Sequence, residues 1–257
     1  MAEFKKLKLY FDKELALLLA RKIKPHFSQF KYRLFVKHVE QNIDEHELKK
    51  RVEVIADGLH DFLPADYSEA LNILTKILGP ENSKETGMFT EGYWLMPIAF
   101  FVEKYGLNYY EESILFIKEV TKRNTGEYAI RPFLLAYPEK TLAVALTWSQ
   151  DSNRHVRRLA SEGLRPRLPW AKKIDIFSDD PSAVFEVLDS LKSDPSAYVR
   201  KSVANNVADF LKENYDYTIT ILDKWHVNAS PETRWVIKHA LRNELKKNNP
   251  VAIALVH

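Results

Sequence analysis

Residues whose types and spacing could do chemistry concentrate in one string, Arg154-His155-Val156-Arg157-Arg158-Leu159-Ala160-Ser161-Glu162-Gly163-Leu164-Arg165-Pro166-Arg167-Leu168-Pro169-Trp170. A helix ending at Gly163 presents Arg158 and Glu162 one turn apart on one face. The rigid Arg165-Pro166-Arg167-Leu168-Pro169 connection then swings Trp170 back toward that face. The arginines could neutralise phosphates. The carboxylate beside them could stabilise developing positive charge, or simply form an exposed i, i+4 ion pair. Trp170 reads either as an aromatic wall or as a packing residue.

Charge around the string is uneven. Between residues 123 and 175, ten Lys or Arg stand against five Asp or Glu, whereas the other 204 residues hold 28 against 30. The formal net charge of +3 therefore conceals a local basic patch on an otherwise balanced chain. Such a patch suits a polyanion-binding face, because each phosphate neutralised releases condensed counterions. A solvated helix face with arginines paired to neighbouring acids has the same composition, and charge alone leaves both readings open. Within the patch, Arg131, Arg154, Arg157, Arg158, Arg165, Arg167 and Lys172 are the candidate nucleic-acid contacts.

Other chemistries are excluded by what is missing. Zero cysteines rule out disulfides, thiolate nucleophiles, cysteine-ligated zinc and iron-sulfur clusters. The eight histidines are scattered with no HExxH, and no GxGxxG or GxxxxGK[ST] phosphate loop accompanies the seven glycines. Neither a metal nor a cofactor is expected. The longest uncharged run, residues 92–102, is well short of the ~20 apolar residues a membrane span requires. Residues 1–8 are charged and lack the apolar segment of a secretory signal, so export is not expected either.

The elements that must position these residues are helices. Apolar residues recur at i, i+3, i+4 and i+7 in Phe11, Leu15, Leu18 and Leu19, and again in Leu48, Val52, Ile55, Leu59 and Phe62. The same period runs through residues 114–120, 141–148, 156–163, 183–191, 199–211 and 233–245. Breakers stand between them, and Asp180-Pro181, Asp194-Pro195 and Ser230-Pro231 read as capped helix starts. With 46% apolar and 28% charged residues, the chain is expected to be all-α, soluble and well cored.

The second half also repeats. Ser149-Gln150-Asp151-Ser152 followed by Val156-Arg157-Arg158 is echoed by Ser193-Asp194-Pro195-Ser196 followed by Val199-Arg200-Lys201, with Asp151 and Asp194, and Val156 and Val199, each 43 residues apart. A looser third copy begins at Ser230 and continues Arg234-Trp235-Val236-Ile237-Lys238. A capped turn and an amphipathic helix recurring at this period mark HEAT-like helix pairs stacked into a curved solenoid. Its second helices would gather Arg157, Arg158, Arg200, Lys201, Arg234 and Lys238 on one concave side.

Here the sequence resembles a known family, the bacterial HEAT-like-repeat alkylpurine DNA glycosylases, and within it the AlkC branch. The resemblance runs over essentially all of residues 1–257, through Phe11-Asp12-Lys13-Glu14-Leu15, Glu127-Tyr128-Ala129-Ile130-Arg131-Pro132-Phe133-Leu134, Val203-Ala204-Asn205-Asn206-Val207-Ala208-Asp209 and Glu232-Thr233-Arg234-Trp235. Its most specific part is the Glu162-Gly163-x-Arg165-Pro166-Arg167-Leu168-Pro169-Trp170 string. The resemblance implies removal of cationic N3-methyladenine and related alkylpurines from double-stranded DNA by a monomeric, cofactor-free enzyme of the bacterial cytosol. It also implies catalytic roles for Glu127, Glu162, Trp170 and Asp209. One position departs from the pattern. The family usually carries Asn directly before the last Asp, and this chain has Ala208, which puts in question a hydrogen bond orienting Asp209. Longer members append an immunoglobulin-like domain, for which no residues remain here, so one helical domain is expected.

A DNA-binding protein without activity and a protein-binding helical scaffold are the alternative readings. The clustered arginines favour DNA over a scaffold. Three carboxylates on a face that must meet phosphate favour catalysis over binding alone, because they would repel the backbone unless they did chemistry.

Overall fold

The computed structural model describes residues 5–86 and 91–256. Residues 1–4, part of the stretch read for a secretory signal, lie outside them. Among the described residues the regular structure is helical throughout, with fifteen α-helices, two short 3-10 turns and no strand. None of the helices is long and apolar enough to cross a membrane. The chain divides into two compact units, Met1–Ile130 and Arg131–His257.

The first unit holds α1 (Lys13–Ile23), α2 (Tyr32–Asn42), α3 (Leu48–Phe62), α4 (Tyr67–Ile77), α5 (Met96–Tyr105) and α6 (Tyr110–Thr121). Asp12 and Asp66 cap α1 and α4 by accepting from backbone N–H groups of the first turn. Leu15, Leu19 and Ile23 of α1, Phe35 and Val39 of α2, and Ile55 and Leu59 of α3 meet in the core. Gly58 lets α3 approach α2 closely: a Cβ there would stand 3.0 Å from the Phe35 ring.

The second unit contains α7 (Arg131–Ala136), α8 (Pro138–Trp148), α9 (Arg154–Glu162), α10 (Ser182–Leu191), α11 (Ala197–Glu213), α12 (Tyr215–His226), α13 (Pro231–Ala240), α14 (Arg242–Lys246) and α15 (Pro250–Ala254). Each of α9, α11 and α13 packs beside the next one in that series, and α10 packs against α8, α9 and α11. Pairing of every second helix is the signature of stacked repeats. The seam is apolar: Val156 and Leu159 from α9, Val199, Val203 and Val207 from α11, and Val236 and Ile237 from α13 are buried. Each such side chain contributes up to ~1.5 to 3 kcal/mol on burial.

The 43-residue repeat has a physical counterpart. Asp151 Oδ1 accepts from Asn153 N at 2.8 Å, and Asp194 Oδ1 accepts from Ser196 N at 2.8 Å. Asn153 and Ser196 then cap α9 and α11. Four residues beyond each cap an arginine folds back over the turn. Arg157 Nη1 donates to the carbonyls of Asp151 and Ser152, and Arg200 Nη1 donates to those of Asp194 and Pro195.

Three boundaries differ from expectation. At Asp180-Pro181 and Asp194-Pro195 the aspartate is not the helix cap; it accepts from the N–H two residues on and shapes the turn one step earlier. The helix expected over 233–245 is interrupted at Leu241, giving α13 and α14.

Candidate active site

Glu162 is the last residue of α9, on a helix whose Val156, Leu159 and Ala160 are buried against its neighbours. It is itself only 5% exposed, which removes the exposed-pair reading. Oε1 accepts from Arg165 Nη1 at 2.8 Å and lies 3.5 Å from Arg158 Nη2. Oε2 accepts from the Ser202 hydroxyl of α11 at 2.6 Å. Burial works to raise the Glu162 pKa, but Arg158, Arg165 and the Ser202 hydrogen bond outweigh it and hold the carboxyl below its ordinary range. Glu162 is thus a fixed negative charge.

Asp209 lies on α11 among Val207, Phe210 and Leu211 and is buried rather than solvent-facing. Its Oδ2 accepts from Arg165 Nε at 2.9 Å, so one guanidinium spans both carboxylates. Arg165 therefore supplies an orienting hydrogen bond to Asp209, whose preceding residue is Ala208. Burial pushes the Asp209 pKa up, Arg165 and Lys212 oppose it, and repulsion from Glu162 adds to the rise, which prevails. The two acids consequently differ: one is held ionised and the other takes a proton more readily than an ordinary aspartate. Arg165 is itself held more firmly charged, since its two carboxylates outweigh its burial.

Trp170 follows in the connection after α9. It adopts a left-handed backbone, φ 64°, and stands 68% exposed, so burial of the indole is not what places it. The connection is closed by Ile174 N donating to Pro166 O at 3.0 Å. Arg131, at the start of α7, donates from Nη1 to Arg165 O at 2.8 Å and from Nη2 to Lys172 O at 2.6 Å.

Glu127 belongs to the first unit, in a turn after α6. Its Oε2 accepts from the Thr125 hydroxyl at 2.8 Å, and its backbone N–H donates to Thr125 Oγ1 at 3.3 Å. Gly126 makes this turn possible: a Cβ would come within 2.6 Å of Thr121 Oγ1 and 2.7 Å of Ile117 Cγ2. Glu127 is 6% exposed.

The basic residues divide into two kinds. Arg157 pairs with Asp194 through Nε at 2.6 Å besides holding its turn, Arg167 pairs with Glu213, and Arg131, Arg165 and Arg200 bond to internal acceptors as described. Arg158 lies over the Tyr198 ring, 5.0 Å from its centroid. Lys172, Lys201, Arg234 and Lys238 are exposed, and Arg154 is half-buried. Among the described residues no group of three or more His, Asp or Glu side chains is arranged to hold a metal ion.

Sequence reasoning missed Ser202, Asn206 and Glu213. Ser202 serves Glu162, Asn206 Nδ2 donates to Ser161 O at 2.7 Å, and Glu213 receives Arg167 and Lys173. The signal was present: positions 202, 206, 209 and 213 fall at i, i+4, i+7 and i+11, a polar stripe along one face of α11.

Comparison with known proteins agrees with this architecture. A family described as DNA alkylation repair enzyme matches residues 106–243. The chain is 40% identical over 250 residues to the uncharacterized protein YhaZ of Bacillus subtilis (strain 168), spanning 97% of this chain and 67% of that one. The structure of Pseudomonas fluorescens alkylpurine DNA glycosylase AlkC bound to DNA containing an abasic site analog superposes with a TM-score of 0.89 at 34% identity, over 98% of this chain and 68% of that chain. AlkD2 from Streptococcus mutans is similar at a TM-score of 0.58 and 26% identity, over 84% of this chain and 97% of that one.

Proposed function

The chain belongs to the DNA alkylation repair enzymes and is a DNA glycosylase, and from that premise we propose that it hydrolyses the N-glycosidic bond of cationic alkylpurines in duplex DNA, chiefly N3-methyladenine. The observation that carries this reading is the buried pair of carboxylates, Glu162 and Asp209, held by one arginine and driven apart in proton affinity.

Alkylation at N3 makes adenine a cation, so the base departs as a neutral molecule and needs no strong general acid. When the C1′–N9 bond breaks, its electrons go to the purine and the sugar acquires oxocarbenium character. A fixed negative charge such as Glu162 lowers the energy of that state because it is preorganised in a desolvated place. Water then bonds to C1′, and its proton needs an acceptor. Asp209, with its raised pKa, suits that role better than Glu162 does. In this reading Trp170 offers an electron-rich face to the positive sugar or base, an interaction of ~0.5 to 2 kcal/mol. Glu127 is a third catalytic carboxylate, held by Thr125.

Phosphate contact is assigned to the exposed Lys172, Lys201, Arg234 and Lys238, while Arg158, 3.5 Å from Glu162, is assigned to the site. Arg131, Arg157, Arg165, Arg167 and Arg200 are assigned to building the site, because their guanidiniums already bond internal acceptors. We place the enzyme in the bacterial cytosol, acting on chromosomal DNA as a monomer.

The test is release of free methylated bases from alkylated duplex DNA by the purified chain. N3-Methyladenine should appear, in the presence of EDTA as in its absence, leaving an intact abasic site. DNA binding without any base release would replace this reading with a non-catalytic one.

A further inference from the structure

We propose that Arg131 and Glu213 are positioning residues which fasten the 163–174 connection along the face of α11 that carries Asp209, and so hold Trp170 for the reaction. This rests on the reading of Trp170 given above.

A tryptophan in the left-handed region is strained and persists only where the surroundings impose it. Trp170 is also largely exposed, so little apolar burial offsets the cost. The chain on either side is itself held in place. Leu168 and Ile174 are buried at 4% and 2% exposure, and Ala171 N donates to Leu168 O at 3.2 Å while Ile174 N donates to Pro166 O at 3.0 Å. The Arg131 fork ties the carbonyls of Arg165 and Lys172, one before Trp170 and one after it. A guanidinium can bridge two carbonyls in a fixed plane, which an ammonium cannot do.

Glu213 closes the same segment from the other side. It is the last residue of α11, where a negative charge opposes the helix dipole, and its side chain is only 5% exposed. A buried carboxylate at that end needs cationic partners. It has two, Arg167 and Lys173 at 2.7 Å, and they flank residues 168–172. Burial works to raise its pKa, but Lys173 and Arg167 hold it below the ordinary glutamate range, so it is ionised at neutral pH. Asp209 and Glu213 stand one turn apart on α11: the first takes Arg165 at the start of the connection, the second takes Arg167 and Lys173 further along. Two arginines that the sequence offers for phosphate, Arg165 and Arg167, are thereby drawn onto one helix face together with Lys173.

The experiment uses the full chain labelled with 5-fluorotryptophan, the Trp170 fluorine signal being assigned by its loss in Trp170→Phe. Glu213→Gln keeps the shape and removes the charge; Arg131→Lys keeps the charge and removes the fork. Either should shift or broaden the Trp170 signal and slow excision of N3-methyladenine about 10- to 100-fold, the scale of a misplaced reacting contact. Added to Trp170→Ala, Glu213→Gln should cost almost nothing more, a non-additivity that general loosening of the fold does not produce. An unmoved signal and rate in Glu213→Gln overturn the proposal, even if Arg131→Lys fails to fold. So does full additivity with Trp170→Ala. Should Trp170→Ala excise at the wild-type rate, the reading of Trp170 itself falls and the positioning role with it; a fluorine signal still sensitive to Glu213→Gln would identify that failure as distinct from failure of the fastening.

Discussion

At the scale of single residues, two acids of similar chemistry are set apart by what surrounds them. Glu162→Gln should keep the side-chain shape and one acceptor oxygen for Arg165 while removing the charge; its amide nitrogen can only donate toward the Ser202 hydroxyl, not accept from it. Excision should fall by a factor on the order of 10², the effect of losing one preorganised electrostatic contact. Affinity for undamaged DNA should hold or rise, since a negative charge is lost. A near wild-type rate would move the catalytic role to Glu127 or Asp209. Stability is expected to respond with opposite signs. The depressed Glu162 pKa means a contribution present above pH ~4.5 and lost as pH falls through the folded value, so Glu162→Gln should lower the melting temperature at pH 7 by the equivalent of about 2 kcal/mol. The raised Asp209 pKa means stability present below that range and lost as pH rises through the folded value, so Asp209→Asn should not lower it. Activity should show an acid limb lying above the ordinary aspartate value of 3.8, because protonated Asp209 cannot accept a proton from water. Burial of Asp209 chiefly sets this limb, Arg165 and Lys212 pull it back, and Glu162 adds to the rise. A rate independent of pH down to 3.8, measured in single turnovers, would count against Asp209 as the acceptor.

At the scale of elements, the repeat explains arginines that composition alone leaves ambiguous. Arg157 and Arg200 each hold the carbonyls of the turn before their helix, and Arg157 also satisfies Asp194, whose side chain is 3% exposed. Arg157→Ala strands that carboxylate, and removing one partner of a buried pair typically costs ~3 to 5 kcal/mol. A large drop in thermal stability is therefore expected, with the salt dependence of DNA binding unchanged. An unchanged melting temperature with a shallower salt slope would return Arg157 to the phosphate contacts.

At the scale of the whole molecule, DNA affinity should depend on the residues left at the surface. Replacing Lys201 and Lys238 together with Ala should reduce the slope of log affinity against log salt by about 1.8, from ~0.9 per phosphate contact. The fold should be unaffected, since surface substitutions usually stay within about 0.5 kcal/mol. Replacing exposed lysines outside this set should leave the slope nearly as it was; an equal loss there would mean that the whole surface charge, rather than these positions, carries binding.

What the sequence determined by itself are the properties that depend on neighbours a few residues away. The helical period of 48–62, the Ser230-Pro231 start of α13 and the 43-residue spacing of Asp151 and Asp194 all rest on interactions within about six residues. The absence of cysteine, and the family resemblance carried by the Glu162 to Trp170 string, needed no coordinates. Tertiary structure alone decided what each charge does. Arg165 meets Asp209 44 positions away, Arg131 meets Lys172 41 away, and Arg167 meets Glu213 46 away. Read locally, these arginines and the exposed lysine beside them are simply basic residues of the same stretch. They differ only in whether packing of α9 and its connection against α11 brings a buried carboxylate or carbonyl within reach, and no periodicity within one helix contains that information.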